Sequence, residues 1–313
     1  MTADLLVLRA LGMGDLLVAV PALRALRRSY PRTRLVLATP GWLASLVRLV
    51  GVVDELLPTA GLGDLRWPYD PPRLAVNLHG QGPQSITEVR GCRPAAIISH
   101  RHPRFPELSG PPWVQDVHEV TRWARLLEYY DVPVVHDDLD LLSPEVPSPA
   151  PRTVVIHPGA SAPSRRWPVP RFAALAAALA GDGGRVVITG SAADVPAADR
   201  IARDAGLPAD AMLAGRTDLD ELAALVAEAD LVVSGDTGVG HLATAYRTRS
   251  VLLFGPMSPA RWGPARDRER HRVLWAGGSG DPHGGRPDDG LLRLTVPRVL
   301  DTARDLLLRV PAR

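Results

Sequence analysis

Lysine is absent from the 313 residues, so all 36 basic side chains are arginine, set against 34 acidic ones for a formal net charge of +2. The arginines are scattered along the chain, which excludes the clustered basic face that nucleic acid requires, and nucleic acid is not an expected partner. Any cation facing a phosphate here must be a guanidinium, a planar fork that holds two oxygens at once. Cysteine is nearly absent: Cys92 stands alone, which rules out an internal disulfide and a multi-cysteine metal site and fits a reducing compartment. No stretch reaches the roughly 18 apolar residues of a membrane span. The N-terminus lacks a charged segment leading to a small-residue cleavage site, so a cytoplasmic protein is expected.

What the chain does have is length and apolar content, 46% hydrophobic and 22% charged, enough for two domains with their own cores. Strand-like runs alternate with helix-like ones: Leu5 to Arg9, Ala19 to Arg28, Arg34 to Thr39, Leu74 to Leu78, Ala95 to Ser99, then a helix from about Val117 to Tyr130. This βαβ punctuation implies a parallel sheet. Periodicity stops at Ser143 to Arg152, SPEVPSPAPR, whose four prolines sustain neither a helix nor a central strand and read as an extended linker.

A second series follows: strands at Thr153 to His157, Arg185 to Thr189, Leu231 to Ser234 and Val251 to Phe254, with helices at Arg171 to Ala180, Asp194 to Ala205, Leu219 to Ala227 and Thr237 to Ala245. Trp275 to Gly290 reads as a loop, and Val296 to Leu308 as a terminal helix. The expected fold is α/β, two Rossmann-like domains with parallel sheets facing a central cleft, residues 1–147 and 148–313. The terminal helix could return to the first domain.

Three segments could carry chemistry. In LGMGD, Leu11 to Asp15, a strand ends, Gly12 and Gly14 permit a tight turn, and Asp15 lands where a helix starts, the edge at which open α/β sheets bind ligands. An aspartate there also serves as a plain helix cap. A dinucleotide fingerprint is not met, because Leu17 stands where Gly or Ala is needed. The second segment, HPGASAPSRRWP, follows a strand with Gly159, Ser161 and the pair Arg165 and Arg166, a set suited to a diphosphate, although an arginine pair on a loop is commonly just solvated. In the third, SGDTGVGHLA, the residues Asp236, Thr237 and Gly238 stand at a helix N-terminus, with His241 one turn on. Free amides and the helix dipole favour an anion there, whereas Asp236 as cap and His241 as core residue are the plainer alternatives.

Together LGMGDLLVAVPAL, GASAPSRRWP and SGDTGVGHLA with FGPMSP behind it resemble glycosyltransferase family 9, over nearly the whole chain. The resemblance implies the GT-B fold, an enzyme, and metal-independent, inverting transfer of a sugar, by default heptose from ADP-heptose, to a hydroxyl acceptor. Residues 1–147 would bind the acceptor and residues 148–313 the nucleotide sugar, with no cofactor. Carried over residue by residue, Asp15 matches the general base, Arg165 replaces a lysine on the donor phosphates, and Asp236, Thr237, Gly238 and His241 match the donor motif. Asp194 is a loose match to an acid near the donor, and LAGRTDL, with Thr217, resembles the segment lining the base. Gly12, Gly14, Gly159, Ser161 and Arg166 would support these sites. Members of the family often build lipopolysaccharide cores, but the Arg-, Ala- and Pro-rich composition resembles that of high-GC actinobacteria, where such a core would be absent, so another envelope glycan or a natural product is the alternative acceptor. Membrane association is expected only for a lipid-linked acceptor. A nucleotide-sugar epimerase or hydrolase would use the same diphosphate site, and a two-domain ligand-binding protein is the non-enzymatic alternative. The Asp-x-Asp of DDLD, Asp137 to Asp140, mimics a metal-holding motif but reads as a solvated acidic loop. His79, Gln81, Gln84 and His118 are polar residues with no motif behind them and read as ordinary surface.

Overall fold

The computed structural model describes residues 4–308. The chain divides into two compact units, Met1–Leu142 and Ser143–Arg313, the division falling where the proline-rich stretch begins.

In the first unit the elements run β1 (Asp4–Leu8), α1 (Met13–Val18), α2 (Val20–Ser29), β2 (Arg34–Thr39), α3 (Ala44–Val50), β3 (Glu55–Pro58), β4 (Leu74–Asn77), α4 (Gln84–Gly91), β5 (Ala96–Ile98) and α5 (Glu119–Glu128). All five strands are parallel, in the order β3-β2-β1-β4-β5. Leu5 to Leu8 and Leu35 to Ala38 are buried without interruption, the mark of strands covered on both faces. The helix expected from Ala19 to Arg28 is α2, and a further short helix, α1, precedes it, capped by Gly12 four residues after β1 ends. His118 is not ordinary surface: its Nδ1 accepts the Val120 amide and caps α5.

The second unit runs β6 (Val154–His157), α6 (Val169–Gly181), β7 (Val186–Ile188), α7 (Val195–Asp204), α8 (Leu219–Glu228), β8 (Leu231–Gly235), α9 (Gly238–Ala245), β9 (Ser250–Phe254), α10 (Pro259–Trp262), β10 (His271–Trp275), α11 (Asp289–Leu292) and α12 (Val296–Leu308). Its sheet is parallel in the order β10-β9-β8-β6-β7. Val299, Ala303 and Leu306 of α12 are fully buried and join the core formed with α6 and the strands. At about 1.5–3 kcal/mol for each large apolar side chain, this stripe fixes the helix. Trp167 meets Phe172 edge to face with centroids 5.0 Å apart, and its indole N–H donates to the Leu294 carbonyl at 2.9 Å, tying the segment after β6 to the one before α12. The loop expected from Trp275 to Gly290 is shorter than that, because Trp275 closes β10 and Asp289 opens α11. Among the described residues no helix is long and apolar enough to cross a membrane.

Both sheets place a topological switch point beside their first strand, between β1 and β4 in one unit and between β6 and β8 in the other. Neighbouring connections leave such a point in opposite directions, and the crevice at the carboxyl ends of the two strands is where this class of fold binds ligands.

Buried histidine adds an acid sensitivity to the second unit. His271, at the start of β10, is 3% exposed, shares a 2.9 Å hydrogen bond with Ser250 Oγ, and is pushed down to about 4 by burial. A ring that must stay neutral when folded but takes a proton at about 6.5 when unfolded stabilises fully above that pH and loses its contribution as the pH falls toward 4. Between pH 7 and pH 4.5 the unit should therefore lose about 2 kcal/mol through this residue. Urea melts at the two pH values check this, and His271→Gln should shrink the difference by that amount, leaving the share of His157, which burial likewise pushes down to about 4.

Candidate functional site

The carboxyl end of β1 delivers Arg9, and the turn that follows brings Asp15 back to it. Gly12 is extended at φ −79° and ψ −179° and serves as the N-cap of α1, so Asp15 lies in the first turn rather than at the cap. Its carboxylate faces Arg9 instead: Arg9 Nη2 stands 3.2 Å from Asp15 Oδ1, and Arg9 Nε donates to the Asp15 carbonyl at 3.0 Å. Arg9 is 1% exposed, Nη1 donates to the Leu78 carbonyl past β4, and the guanidinium sits 4.8 Å from the centre of the Trp123 ring on α5. Burial lowers the basicity of Arg9, and Asp15 and Glu119 oppose it. Asp15 keeps 29% of its side chain exposed, enough to meet a substrate hydroxyl.

His79 lies on the other side of the same switch point. Its amide donates to Asn77 Oδ1 at 3.1 Å, and its ring is held near 4, first by burial and then by the Arg9 charge, with Asp15 opposing. It is therefore a neutral ring beside the carboxylate, not ordinary surface. Neither Arg9 nor His79 belongs to a motif; the one sequence signal was a charge closing the apolar run DLLVL.

In the second unit β6 and β8 are neighbours, with His157 opposite Ser234, so the loops that follow them come together. Arg165 Nη2 stands 2.9 Å from Asp236 Oδ2, an ion contact outside hydrogen-bond geometry, and also donates to the Asp236 carbonyl, while Nη1 donates to Ser161 Oγ at 3.2 Å. Asp236 is 5% exposed; burial pushes its carboxyl up, and Arg165 opposes. Thr237 is the N-cap of α9, and no side chain caps that helix, so its opening amides keep their capacity for an anion. Arg165 Nε and Thr237 Oγ1 are buried with no hydrogen-bond partner among the described residues. His241, one turn on, is half-buried and meets Trp262 edge to face at 6.1 Å. Gly238 opens the helix.

Other expected residues gather one strand away. Asp194 Oδ2 accepts the Ser191 amide at 3.0 Å and hydroxyl at 2.7 Å, capping the turn into α7, and Oδ1 lies 3.5 Å from Arg166. Arg166 donates twice to the Ala160 carbonyl, so its guanidinium holds its own loop. A Cβ on Gly159 would stand 2.5 Å from Asp194 Oδ2, which explains the glycine. Thr217 is half-buried on the segment after the Ile188–Met212 bridge, at the β7 edge. Asp138 of DDLD is taken by Arg24 and Arg28, the latter at 2.7 Å; burial works against it, but the two guanidiniums hold its carboxyl below the usual range.

Two parallel-sheet units, each with a ligand-binding crevice at its switch point, match the GT-B fold of solved heptosyltransferases, and the chain is a glycosyltransferase. Residues 90–279 match the model of glycosyltransferase family 9 (heptosyltransferase), and the chain belongs to that family. It is 26% identical to lipopolysaccharide heptosyltransferase 2 of Escherichia coli K12, covering 96% of this chain and 97% of that one. With lipopolysaccharide heptosyltransferase 1 of Pseudomonas aeruginosa it shares 30% identity over 81% of this chain and 79% of the other. The solved structure of E. coli ADP-heptose lipopolysaccharide heptosyltransferase II superimposes with a TM-score of 0.77 at 24% identity, covering 98% of this chain and 99% of that one.

Proposed function

We propose that the protein transfers a heptosyl group from ADP-heptose to a hydroxyl of a glycan or related acceptor, inverting the anomeric centre without a metal. The first unit takes the acceptor and the second the donor. Asp15 removes the acceptor proton as the hydroxyl oxygen attacks the anomeric carbon; the bond from that carbon to the diphosphate breaks, and the electron pair leaves on the terminal phosphate. Attack on the face opposite the leaving group gives inversion. Arg165 and the α9 amides stabilise the departing charge, and His241 orients the phosphate. Thr217 and its segment line the base. Acceptors of the lipopolysaccharide class suit the names of the relatives, and peripheral membrane association follows only if the acceptor is lipid-linked.

The observation that carries this reading is the pair of buried, unpartnered polar atoms, Arg165 Nε and Thr237 Oγ1, at the start of an uncapped helix. Burying such atoms unpaired costs free energy that a phosphate would recover. Thermal melting of the full chain with ADP, GDP, UDP and dTDP tests it. ADP near 100 times its dissociation constant should stabilise by about 2.7 kcal/mol and raise the melting temperature by several degrees. A rise with another diphosphate only would discard ADP-heptose as donor, and no rise with any would discard the site.

A further inference from the structure

The connection from β5 to α5 doubles back on the end of β5. Gly110 makes the close approach possible, because a Cβ there would stand 2.2 Å from the Ser99 carbonyl oxygen. The Arg101 amide then donates to the Pro111 carbonyl at 3.2 Å, and His100 Nδ1 lies 3.3 Å from the same oxygen. This return sets Trp113 against His100 and Trp123, and the three rings meet edge to face with centroids 5.0, 6.0 and 6.1 Å apart. Each indole carries a guanidinium: Arg122 stands 3.9 Å from the centre of the Trp113 ring and Arg9 4.8 Å from that of Trp123. Arg122, 2% exposed, is itself pinned by Glu119 Oε1 at 2.8 Å and by the Val114 and Gln115 carbonyls. Cations and rings thus alternate from the segment before α5 up to the carboxylate, in the order Arg122, Trp113, Trp123, Arg9, Asp15.

The donors of Arg9 explain why the support beneath it is aromatic. Nη1 is committed to the Leu78 carbonyl, and Nε and Nη2 are committed to Asp15, so only the flat faces of the guanidinium are left to hold. A polar neighbour placed there would compete for a donor that Asp15 uses. A π face attracts the cation without accepting one of its in-plane hydrogen bonds, most strongly where water is excluded. Trp123 is 1% exposed, and its indole N–H has no hydrogen-bond partner among the described residues, so packing against Trp113 and His100, not a hydrogen bond, orients the ring.

We propose that Trp123 and Trp113 are positioning residues for the Asp15 base and act through Arg9; the assignment rests on the reading of Asp15 given above. Without the ring beneath it the guanidinium tips and takes the carboxylate with it, and a displacement of about 1 Å is enough to cost roughly a hundredfold in rate.

Two measurements on the full chain test this. Solvent exchange of the arginine Nε–H groups, followed by NMR, needs no substrate. Exchange at Arg9 should quicken about tenfold in Trp123→Leu and about threefold in Trp113→Leu, while Trp123→Phe, which keeps a ring face, stays near the wild-type rate. Arg266, whose Nε donates to the Thr244 carbonyl at 3.3 Å in the second unit, is the reference. Unchanged exchange at Arg9 in both leucine variants, or equal acceleration at Arg266, would overturn the proposal. Transfer from ADP-heptose to a truncated lipopolysaccharide gives the second readout. Trp123→Leu should lower kcat about tenfold to a hundredfold at unchanged donor KM, Trp123→Phe should recover to within about threefold of wild type, and the leucine should cost nothing further in Asp15→Asn. Trp113 is only half-buried, so Trp113→Leu carries the same comparison if Trp123→Leu does not fold. Equal losses in the wild-type and Asp15→Asn backgrounds would mean that the rings act elsewhere, and the proposal falls while the base stands. Wild-type turnover in Asp15→Asn alone would discard the base reading and the positioning role with it, whatever the exchange rates.

Discussion

Asp15→Asn lowers the turnover number by about a hundredfold to ten-thousandfold, the range a positioned general base supplies, and it lowers the melting temperature as well, because the buried Arg9 loses its nearest counter-charge. The amide is nearly isosteric and its oxygen still accepts from Arg9 Nη2, so the 3.2 Å contact survives; what disappears is the charge and the capacity to take a proton. Donor affinity, measured with ADP, stays at the wild-type value because the seat for it lies in the other unit. Turnover within about threefold of wild type, under saturating donor and acceptor, would remove Asp15 from the chemistry and leave it a partner that merely quenches Arg9.

Arg165→Ala strikes both stability and binding. Asp236 is 5% exposed and Arg165 23%, so the deletion strands a buried carboxylate, which costs about 3 kcal/mol, and the second unit melts earlier. Affinity for ADP should fall by about tenfold to a hundredfold as a charge-assisted contact worth about 1.5–3 kcal/mol is lost. The paired variant Arg165→Met with Asp236→Asn separates the two effects: removing both charges restores most of the stability but none of the binding. Recovery of ADP affinity in the paired variant would mean that the arginine serves the aspartate rather than the phosphate.

The parts of this fold that were legible in sequence are those in which apolar period and punctuation agree. The strand LVVSG, the helix 296–308 and the proline-rich stretch have single physical solutions. The elements passed over lack one of the two signals. α3, ASLVRLV, is apolar on nearly every side and carries no helical stripe, while β3, ELLP, is four residues long and ends in proline. α4 is rich in β-branched residues, and β10 starts with His271 and Arg272 after a run of charges, so its strand character comes from the parallel ladder with β9 and not from its own residues. At the site, the glycine-rich motifs announced Asp15, Asp236 and Thr237 because backbone geometry leaves a local trace. Arg9 left only the charge that closes the run DLLVL, and His79 left none, since Trp123 and Leu78 reach Arg9, and Arg9 reaches His79, from far along the chain.

Arg9 spans the seam of the first sheet: it belongs to the end of β1, grips the carbonyl beyond β4, rests on an indole of α5 and steadies the carboxylate on α1. Proper aim of that carboxylate is thus a by-product of correct strand pairing. A chain whose β1 and β4 had slipped by one residue would not only misplace its core but also disarm itself, so an inactive molecule and a misregistered one would be the same species.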